Sequence, residues 1–303
     1  MARALVTGAT GFVGRTLARA LVRDGWAVTA VTRSSSATEQ LVSAGIRCVE
    51  ADQPSALYAI VADTEPDAVF HLAAAQARRH TSADVDTLVE ANITVGTHLL
   101  QSLVGRDVPV VCAMSYFQYR DGAPATHSLY AATKQAFSSI ATYYREREGL
   151  DVREVVLYDN YGPSDTRDKL VVALIRAAHT GAAVRTGPLD QPLNLLHVDD
   201  VANGLIAAAS PDEPQLATVR APELATVGDV VDAVQRASGG RLIHEIDPAR
   251  TASYLAAEAG DWPAPRGWSP RWTLEEGIRA VYDADARGIT RSATEPDPSP
   301  KAH

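Results

Sequence analysis

Ala4-Leu-Val-Thr-Gly8-Ala-Thr-Gly11-Phe-Val-Gly14 is the stretch that decides the fold of this chain. The apolar run at its start is typical of a buried parallel strand, and the residues around and after the third glycine have helical apolar spacing. In such a unit the first glycine makes the tight turn, the second lets the backbone approach a pyrophosphate, and the third lets the helix pack on the strand. The helix N-terminus then points unpaired N–H groups at an anion. Because the spacing is Gly-x-x-Gly-x-x-Gly instead of Gly-x-Gly-x-x-Gly, an ordinary turn remains the alternative.

The first half of the chain alternates strand and helix patterns. Apolar runs predict strands at Arg3 to Thr7, Ala27 to Thr32, Arg47 to Glu50, Ala68 to Leu72, Val108 to Met114 and Val152 to Leu157. Helical spacing predicts helices at Phe12 to Asp24, Thr38 to Ala44, Ser55 to Ala62, Asp84 to Val104 and Ser128 to Glu148. Repeated units of this kind predict an α/β fold, a doubly wound parallel sheet of the Rossmann type whose ligand lies at the carboxyl ends of the strands.

The regular alternation of strand and helix patterns ends after Leu157, and shorter elements follow. A helix is predicted at Asp168 to Thr180, short strands and helices follow through Asp199 to Ala209 and Val227 to Ser238, and a last amphipathic helix is predicted at Leu274 to Ala286. We expect a dinucleotide-binding Rossmann domain over residues 1–160, to which residues 182–221 return. Residues 161–181 and 222–287 would form a smaller C-terminal substrate-binding lobe. Three prolines and little apolar content predict a disordered tail over residues 288–303.

Composition narrows the class of protein. A formal net charge of −9 over 303 residues argues against nucleic acid or a membrane surface as partner. Neither a signal peptide nor a bilayer-spanning apolar run is evident, which indicates a cytoplasmic protein. Cys48 and Cys112 lie in apolar runs, so we expect core packing and no metal site. The helices at 84–104 and 128–148 carry apolar residues on more than one face, either for burial on the sheet or for pairing in a homodimer.

Two arginines bear on the dinucleotide that is bound. The second strand is followed by Arg33, where a carboxylate would bind the ribose 2′-hydroxyl of NAD and an arginine accommodates the 2′-phosphate of NADP. Arg15, directly after Gly14, could bind the same phosphate from the other side. We therefore expect NADP(H), with NAD(H) as the alternative cofactor, although each arginine could be a solvated surface residue. Asp52, after the third strand, could accept from the adenine amino group or lie exposed in a loop.

Tyr130 and Lys134 lie four residues apart, on one face of a predicted helix. A phenol with an ordinary pKa of about 10 needs a nearby cation to act as an acid or base at neutral pH, and Lys134 can supply it. The chain has 25 arginines and only three lysines, so a lysine at this position is informative. Ser115 ends the fifth strand, where its hydroxyl could hold a substrate carbonyl beside Tyr130 or simply form a turn.

A series of ordered motifs spans residues 3–285: Gly8-Ala-Thr-Gly11-Phe-Val-Gly14, His71-Leu-Ala-Ala, Asn92 with Gly96-Thr97, Ser115 with Tyr119, Tyr130-x-x-x-Lys134, Tyr161-Gly-Pro and His197-Val-Asp-Asp. The series resembles the extended short-chain dehydrogenase/reductases, the NAD-dependent epimerase/dehydratase family. The resemblance implies a catalytic triad of Ser115, Tyr130 and Lys134, with Asn92 supporting the lysine through a water. It also implies that the cofactor contacts Gly8, Thr10, Gly11, Phe12, Val13, Gly14, Leu72, Ala73, Tyr130 and Lys134. Family members mostly act on nucleotide-diphosphate sugars, which bind between the Rossmann domain and the lobe.

Residues 159–169, Asp-Asn-Tyr-Gly-Pro-Ser-Asp-Thr-Arg-Asp-Lys, resemble the pattern of reductases that act on nucleotide-linked 4-keto-6-deoxyhexoses, including abequose/paratose synthases. Its cations could meet a diphosphate or a sugar oxygen, whereas helix capping by Ser164 or Asp165 is the structural alternative. An arginine that many family members place before the His197 motif is missing, so Arg250 or Arg271 would have to hold the diphosphate. The expected substrate-binding residues are Tyr116, Phe117, Asp159, Asn160, Arg167, Lys169, His197 and Arg250.

Two departures from the family patterns narrow the reaction. Tyr116-Phe117 replaces the Asp-Glu pair of sugar-nucleotide 4,6-dehydratases, and Cys112 precedes Ser115 instead of following it as in epimerase/reductases of the GDP-fucose type. The first hypothesis is NADPH-dependent reduction of the 4-keto group of a nucleotide-diphospho-4-keto-6-deoxyhexose, because Arg33 favours an exchangeable NADPH. The alternatives are a nucleotide-sugar 4-epimerase with tightly bound NAD and a non-catalytic dinucleotide-binding regulator.

Overall fold

The computed structural model describes residues 1–77, 79–167, 169–250 and 259–294. Its strands are β1 (Arg3–Thr7), β2 (Ala27–Thr32), β3 (Arg47–Glu50), β4 (Ala68–His71), β5 (Val110–Ser115), β6 (Tyr119–Arg120), β7 (Ala123–Pro124), β8 (Val152–Leu157), β9 (Asp159–Tyr161), β10 (Ala183–Thr186), β11 (Pro192–Leu193), β12 (Leu195–His197), β13 (Leu216–Val219), β14 (Ala225–Thr226) and β15 (Ile243–Ile246). Its α-helices are α1 (Phe12–Arg23), α2 (Glu39–Val42), α3 (Leu57–Thr64), α4 (Val85–Val89), α5 (Val95–Ser102), α6 (Leu129–Arg147), α7 (Leu170–Thr180), α8 (Val198–Ala207), α9 (Val227–Ser238) and α10 (Leu274–Thr294).

The central sheet has seven parallel strands in the order β13-β8-β5-β4-β1-β2-β3. The chain runs outward from β1 to β3 and then crosses back to β4, on the other side of β1. In a doubly wound sheet the ligand lies in the crevice at this switch point, outside the carboxyl ends of the strands. The predicted doubly wound Rossmann fold is confirmed.

Helices cover both faces of the sheet and bury its apolar side chains. Leu17 of α1 and Leu205 of α8 belong to the core on one face, and Leu99 of α5 and Phe137 of α6 belong to the core on the other. All four are fully buried, and each such side chain contributes about 1.5–3 kcal/mol relative to exposure. The sheet is thereby held rigid under the loops at its carboxyl edge.

A separate core joins α7, α9 and α10 through Leu174, Val234 and Ile278, which are all fully buried. β10 pairs with β15, and Val184 of β10 packs against this core. We expected residues 182–221 to return to the Rossmann domain, but within this range it is α8 and β13 that pack on or join the central sheet.

Three other predicted elements differ in detail. The helix expected at 84–104 is interrupted by a π-helical turn at Glu90–Thr94, which turns a buried polar side chain inward. α10 extends to Thr294, past the predicted start of the disordered tail at Gly288, and no proline follows until Pro296. Residues 295–303 and Asp168, the predicted first residue of the seventh helix, lie outside the described residues.

Neither a metal cluster nor a membrane span is found in the described part of the chain. No group of three or more His, Cys, Asp or Glu side chains is arranged to hold a metal ion there. The described helices include none that is both long and apolar enough to cross a bilayer. Both cysteines are free thiols, Cys112 buried and Cys48 half-buried.

Candidate functional site

The turn between β1 and α1 forms a cradle whose shape requires glycine. Gly8 has a φ of +72°, and a Cβ on it would lie 2.6 Å from Ala73 N. A Cβ on Gly14 would lie 2.1 Å from Gly8 O, which accepts a hydrogen bond from Gly11 N at 3.0 Å. Gly11 caps α1 without a side-chain hydrogen bond, so the first turn keeps N–H groups for an anion. The cradle therefore fits the diphosphate of a dinucleotide. Three further residues of the predicted cofactor site lie in or beside this turn: Thr10, Phe12 and Val13.

Leu72 and Ala73 border the cradle because Thr7 holds them there. Leu72 N donates to Thr7 O at 3.1 Å, and Ala73 N donates to Thr7 Oγ1 at 3.3 Å. The same hydroxyl is hydrogen-bonded to His71 Nδ1, 2.7 Å away. Burial, followed by the nearby Lys134 charge, lowers the pKa of His71 to about 3. His71 is therefore a neutral structural support beneath the predicted cofactor site.

Arg33 follows β2 and is exposed. Its backbone N donates to Ser36 Oγ at 3.3 Å, while the guanidinium has no hydrogen bond or ion pair within the described ranges. Asp52 accepts from Ser34 N at 2.8 Å, and the Ser34 hydrogen bonds, then the Arg33 charge, lower the pKa of Asp52. Arg15 is half-exposed in a groove between α1 and α8. The dinucleotide roles of these three side chains stay predictions.

Ser115 stands at the carboxyl end of β5 with a fixed hydroxyl. Ser115 N donates to Gln118 Oε1 at 2.9 Å, and Phe117 N donates to Ser115 Oγ at 3.3 Å. Burial raises the pKa of Tyr130, and the nearby Ser115 side chain opposes that shift. The structure therefore joins two members of the predicted triad at the edge where the ligand of this fold lies.

Lys134 lies one helical turn after Tyr130 on α6, a helix capped by Ser128, whose Oγ accepts from Ala131 N at 3.1 Å. Lys134 is only 3% exposed, and its Nζ donates to Ala113 O of β5 at 2.7 Å. Burial lowers the pKa of Lys134 to about 8. The ammonium thus lies against β5, on the carbonyl of the residue two positions before Ser115.

Asn92 connects the loop after β4 to the catalytic helix. Its Oδ1 accepts from Ala75 N at 2.8 Å, and its Nδ2 donates to Ala75 O at 3.0 Å and to Thr133 Oγ1 at 2.9 Å. Thr133 Oγ1 in turn donates to Tyr130 O at 2.9 Å. The side chain of Asn92 therefore fixes the position of α6 relative to that loop. Its support of Lys134 through a water stays a prediction.

Asp159 gathers three of the predicted substrate-binding residues next to Ser115. Its Oδ2 accepts from the Tyr116 hydroxyl at 2.9 Å, and its Oδ1 accepts from Lys169 Nζ at 3.0 Å. The Tyr116 ring stacks between those of Phe117 and Tyr158, with centroid distances of 4.3 and 5.1 Å. The cluster presents an aromatic surface and a neutralised ion pair where dehydratases of the resembled family carry an acid and a base.

Arg167 binds within the protein. Its Nε and Nη2 both donate to the Asp165 carboxylate at 2.7 Å, and Nη2 also donates to Asn160 Oδ1 at 2.9 Å. Its guanidinium carbon lies 4.3 Å from the centroid of the Phe12 ring, in a cation–π contact. No side chain caps the start of α7, so the capping alternative for Ser164 or Asp165 is wrong. Arg167 ties the segment after β9 to the start of α1.

His197 is buried between two aromatic rings. It stacks on Trp272 with a centroid distance of 4.2 Å, and the Tyr161 ring meets it edge-on at 5.6 Å. His197 Nδ1 accepts from Asp199 N at 3.3 Å and so caps α8. Its buried Nε2 has no partner among the residues described. The observed contacts are structural, and substrate binding by His197 stays a prediction.

Asp200, three residues after His197, anchors the segment that leads into α10. Its two carboxylate oxygens accept from Arg271 N and Trp272 N, each at 3.0 Å, and its backbone O accepts from Trp268 Nε1 at 3.0 Å. Asp200 is 1% exposed, so these hydrogen bonds satisfy a buried carboxylate.

Arg250 lies on the surface of the lobe. Its Nη1 donates to Arg185 O at 3.1 Å, and its Nε lies 3.6 Å from Asp247 Oδ2. None of these contacts joins it to another predicted site residue within the described ranges. Its role as the cation for a diphosphate stays a prediction that the observed contacts do not favour.

Three supporting residues escaped the sequence analysis, and each had a local signal. Gln118 stands three residues after Ser115, the spacing of a capping box. Thr133 carries a hydroxyl inside the Tyr130–Lys134 motif. Glu154 is a charged residue in the middle of an apolar strand, where an acid needs a buried partner.

Comparison with known proteins adds to this geometry. The profile of the NAD dependent epimerase/dehydratase family matches residues 4–217, from β1 into β13. A UDP-glucuronate 4-epimerase from Thermodesulfobacterium geofontis (strain OPF15) is 25% identical over an alignment 311 residues long, gaps included, and the match covers 94% of this chain and 96% of the relative. A CDP-abequose synthase from Yersinia pseudotuberculosis is 23% identical over 219 residues, which cover 70% of this chain and 75% of the relative.

Among solved structures, a UDP-glucuronic acid 4-epimerase from Bacillus cereus, crystallised with UDP-glucuronic acid and NAD, matches with a TM-score of 0.79. Its sequence identity is 20%, and the match covers 94% of this chain and 99% of that chain. At this identity the similarity establishes the fold alone.

Proposed function

This chain belongs to the NAD-dependent epimerase/dehydratase family, and we propose that it reduces the 4-keto group of a nucleotide-diphospho-4-keto-6-deoxyhexose with NADPH. The observation that carries the proposal is the placement of three residues: Ser115 at the carboxyl end of β5, Tyr130 near it on α6, and Lys134 buried one helical turn further along α6 with its ammonium on Ala113 O of β5. These are the groups that reduction of a carbonyl requires: one to hold its oxygen, one to deliver a proton and one to stabilise the anion left behind.

The dinucleotide would be held by the cradle of Gly8, Gly11 and Gly14, where a Cβ on the first or last would collide with backbone. When bound, it supplies the hydride for reduction of a carbonyl carbon. Arg33 supports NADPH, because its exposed guanidinium has no partner among the described side chains and Asp52 already binds Ser34. An arginine in this position suits a phosphate better than a ribose hydroxyl.

Ser115 orients the carbonyl oxygen, and Tyr130 delivers the proton to it. Burial raises the pKa of Tyr130 and so keeps the phenol protonated at neutral pH, the state that a proton donor needs. When Tyr130 gives up its proton, the Lys134 ammonium stabilises the phenolate. Lys134 has a pKa of about 8 and is therefore mostly charged at neutral pH.

The Asp159 cluster supports a neutral 6-deoxy sugar as substrate. Lys169 is paired with Asp159 and Arg167 with Asp165, so neither is free to neutralise a sugar carboxylate. The half-buried ring of Phe117, stacked on the buried ring of Tyr116, offers an apolar surface two residues after Ser115. The nucleotide-linked 4-keto sugars of the resembled reductases carry a methyl group where glucuronate carries a carboxylate.

A homodimer formed through α4 and α6 belongs to the same proposal. Val85 and Val89 of α4 are 37% and 40% exposed, and Tyr143 of α6 is 51% exposed. Apolar side chains left exposed on these long helical segments favour pairing with a second copy. Sedimentation equilibrium of wild-type protein and of a Val85→Glu/Val89→Glu variant tests the pairing.

The test is consumption of NADPH with CDP-, dTDP-, UDP- and GDP-linked 4-keto-6-deoxyhexoses, followed by absorbance. We expect turnover with at least one of them, and a Tyr130→Phe variant should lose about 10²–10⁴-fold in kcat because it cannot donate the proton. Tyr58→Phe, at an exposed tyrosine of α3 whose ring meets His98 edge-on, is the matched control and should retain full activity. Absence of NADPH consumption with every nucleotide would refute the proposal.

A second candidate, a nucleotide-sugar 4-epimerase with retained NAD, is favoured by one observation. The UDP-glucuronate 4-epimerase relative matches over 94% of this chain, whereas the CDP-abequose synthase matches over 70%. Ser115, Tyr130 and Lys134 would serve an epimerase in the same roles. Interconversion of two nucleotide sugars without added cofactor, together with NAD in the purified protein, would decide for this candidate.

A further inference from the structure

Glu154 is a buried acid that the proposed reaction does not use. It lies in the middle of β8, only 3% exposed, in the apolar strand that includes Val155 and Val156. Its Oε2 accepts from Ser138 Oγ at 2.5 Å, and its Oε1 lies 3.4 Å from both Nη1 and Nη2 of Arg145. An apolar residue of similar size would fill the same space without the cost of desolvating a charge. The position therefore calls for a reason beyond packing.

The geometry of α6 supplies that reason. One face of α6 carries Lys134, Ser138 four residues later, and Arg145 seven residues after that. Lys134 Nζ bonds Ala113 O on β5, next to Cys112, which is the register partner of Glu154 on β8. The carboxylate consequently meets α6 one turn beyond Lys134, about 5.4 Å along the helix axis. It lies between the two cations.

The other titratable groups that face Lys134 carry no negative charge at neutral pH. His71 of β4 is neutral, with a pKa of about 3, and burial raises the pKa of the Cys112 thiol to about 12. The pKa of Tyr130, on the same helix, is raised. Burial also raises the pKa of Glu154, while its bonds to α6 favour the ionised form. The desolvation of Lys134 is opposed by Cys112 and then by Glu154, and because the Cys112 thiol is uncharged at neutral pH, the Glu154 carboxylate is the group among the described residues that can supply a negative charge there.

We propose that Glu154 is a positioning residue whose buried carboxylate holds Lys134 as an ammonium beside Tyr130. Its effect on turnover rests on the proposed function, but its effect on the charge of Lys134 is a property of the folded chain. The two effects can therefore be measured separately.

The charge of Lys134 is measurable because the chain has only three lysines. Protein labelled with ¹³Cε-lysine gives one signal for each, and Lys169→Arg and Lys301→Arg variants identify the signal of Lys134. We expect a titration midpoint near pH 8 in the wild-type protein and a midpoint about one pH unit lower in Glu154→Gln. Ser138→Ala keeps the carboxylate but removes a hydrogen bond that favours its ionised form, so the midpoint should fall by less than in Glu154→Gln.

If Glu154→Gln does not fold, Glu154→Gln/Arg145→Gln removes both charges and should still lower the midpoint, since Glu154 is nearer to Lys134. An unchanged or raised midpoint in a folded Glu154→Gln protein, or in the double variant, would overturn the proposal.

The alkaline limb of the kcat/KM profile should move to lower pH in Glu154→Gln by the amount found by NMR. If the Lys134 signal shifts as expected in a protein without reductase activity, the charge role of Glu154 is supported and the proposed function fails. If reductase activity is present and the alkaline limb does not move, Glu154 does not act through Lys134 and the positioning role fails.

Discussion

Replacing Gly14 by alanine tests the cradle between β1 and α1 most directly. A Cβ there would lie 2.1 Å from Gly8 O and 2.9 Å from Ala9 Cα, whereas real Cβ atoms essentially never approach closer than 3.0 Å. The Gly8 carbonyl would have to withdraw by roughly 0.9 Å. Because this carbonyl accepts the hydrogen bond of Gly11 N at 3.0 Å, its withdrawal displaces the N-terminus of α1.

Two opposing contributions set the expected loss of stability. Overpacking costs about 1–3 kcal/mol, whereas alanine is favoured over glycine inside a helix by up to about 1 kcal/mol. We expect the free energy of unfolding to fall by about 1–2 kcal/mol. Dinucleotide affinity should fall at least about tenfold, because the N–H groups that would face the diphosphate are displaced by a large fraction of an ångström.

The assay is thermal or denaturant unfolding with and without NADPH, and again with NAD. At about 100 times Kd, ligand adds about 2.7 kcal/mol to the stability of the wild-type protein, and a tenfold weaker Kd removes about half of this gain. Gly187→Ala is the matched control, since a Cβ there has its nearest contact at 3.5 Å, and it should retain both stability and the ligand effect. An undiminished ligand effect in Gly14→Ala would refute the cradle assignment.

Three further predictions follow from the same structure. Arg33→Ser should raise the Kd for NADPH about 10–100-fold and leave that for NADH nearly unchanged, as measured by fluorescence titration, while Arg47→Ser, an exposed arginine paired with Asp63, should change neither. Burial lowers the pKa of His71 to about 3, so below pH 6.5 the unfolded chain binds a proton that the folded chain does not. The free energy of unfolding should therefore fall by about 1.4 kcal/mol per pH unit as the pH drops from 6.5 toward 3. In urea titrations, His71→Asn should flatten that slope. Asp200→Asn should lower the free energy of unfolding by about 1–3 kcal/mol in urea, because one buried backbone N–H loses its acceptor; unchanged stability would contradict the anchoring role.

Much of the fold and the central part of the site were predictable because their causes are local. The glycine spacing required a turn that brings the N-terminus of a helix close to an anion, and the observed contacts of Gly8 and Gly14 match this requirement. The four-residue spacing of Tyr130 and Lys134 put both on one helix face, and the parallel-sheet rule put Ser115 at the same edge. Each inference needed only neighbouring residues and the chirality of the chain.

The features that were missed depend on distant contacts. The π-helical turn at Glu90–Thr94 exists where Asn92 meets Ala75 and Thr133, a pairing that no local propensity encodes. The surface position of Arg250 depends on the pairing of β10 with β15, whose paired residues are 60 positions apart in the sequence. Sequence patterns identify charged side chains but do not identify the partners that neutralise them.

Asp200 has a consequence for protein engineering. Its carboxylate belongs to α8, on the sheet, but its acceptors are filled by backbone N–H groups from the segment that starts α10 in the lobe. In a chimera that replaces the lobe by that of a relative, or in a truncation before residue 271, the buried carboxylate of Asp200 would lose these hydrogen bonds. The boundary of a transferable unit therefore has to keep residues 268–272 together with α8. The two parts of the chain cannot be exchanged independently of each other.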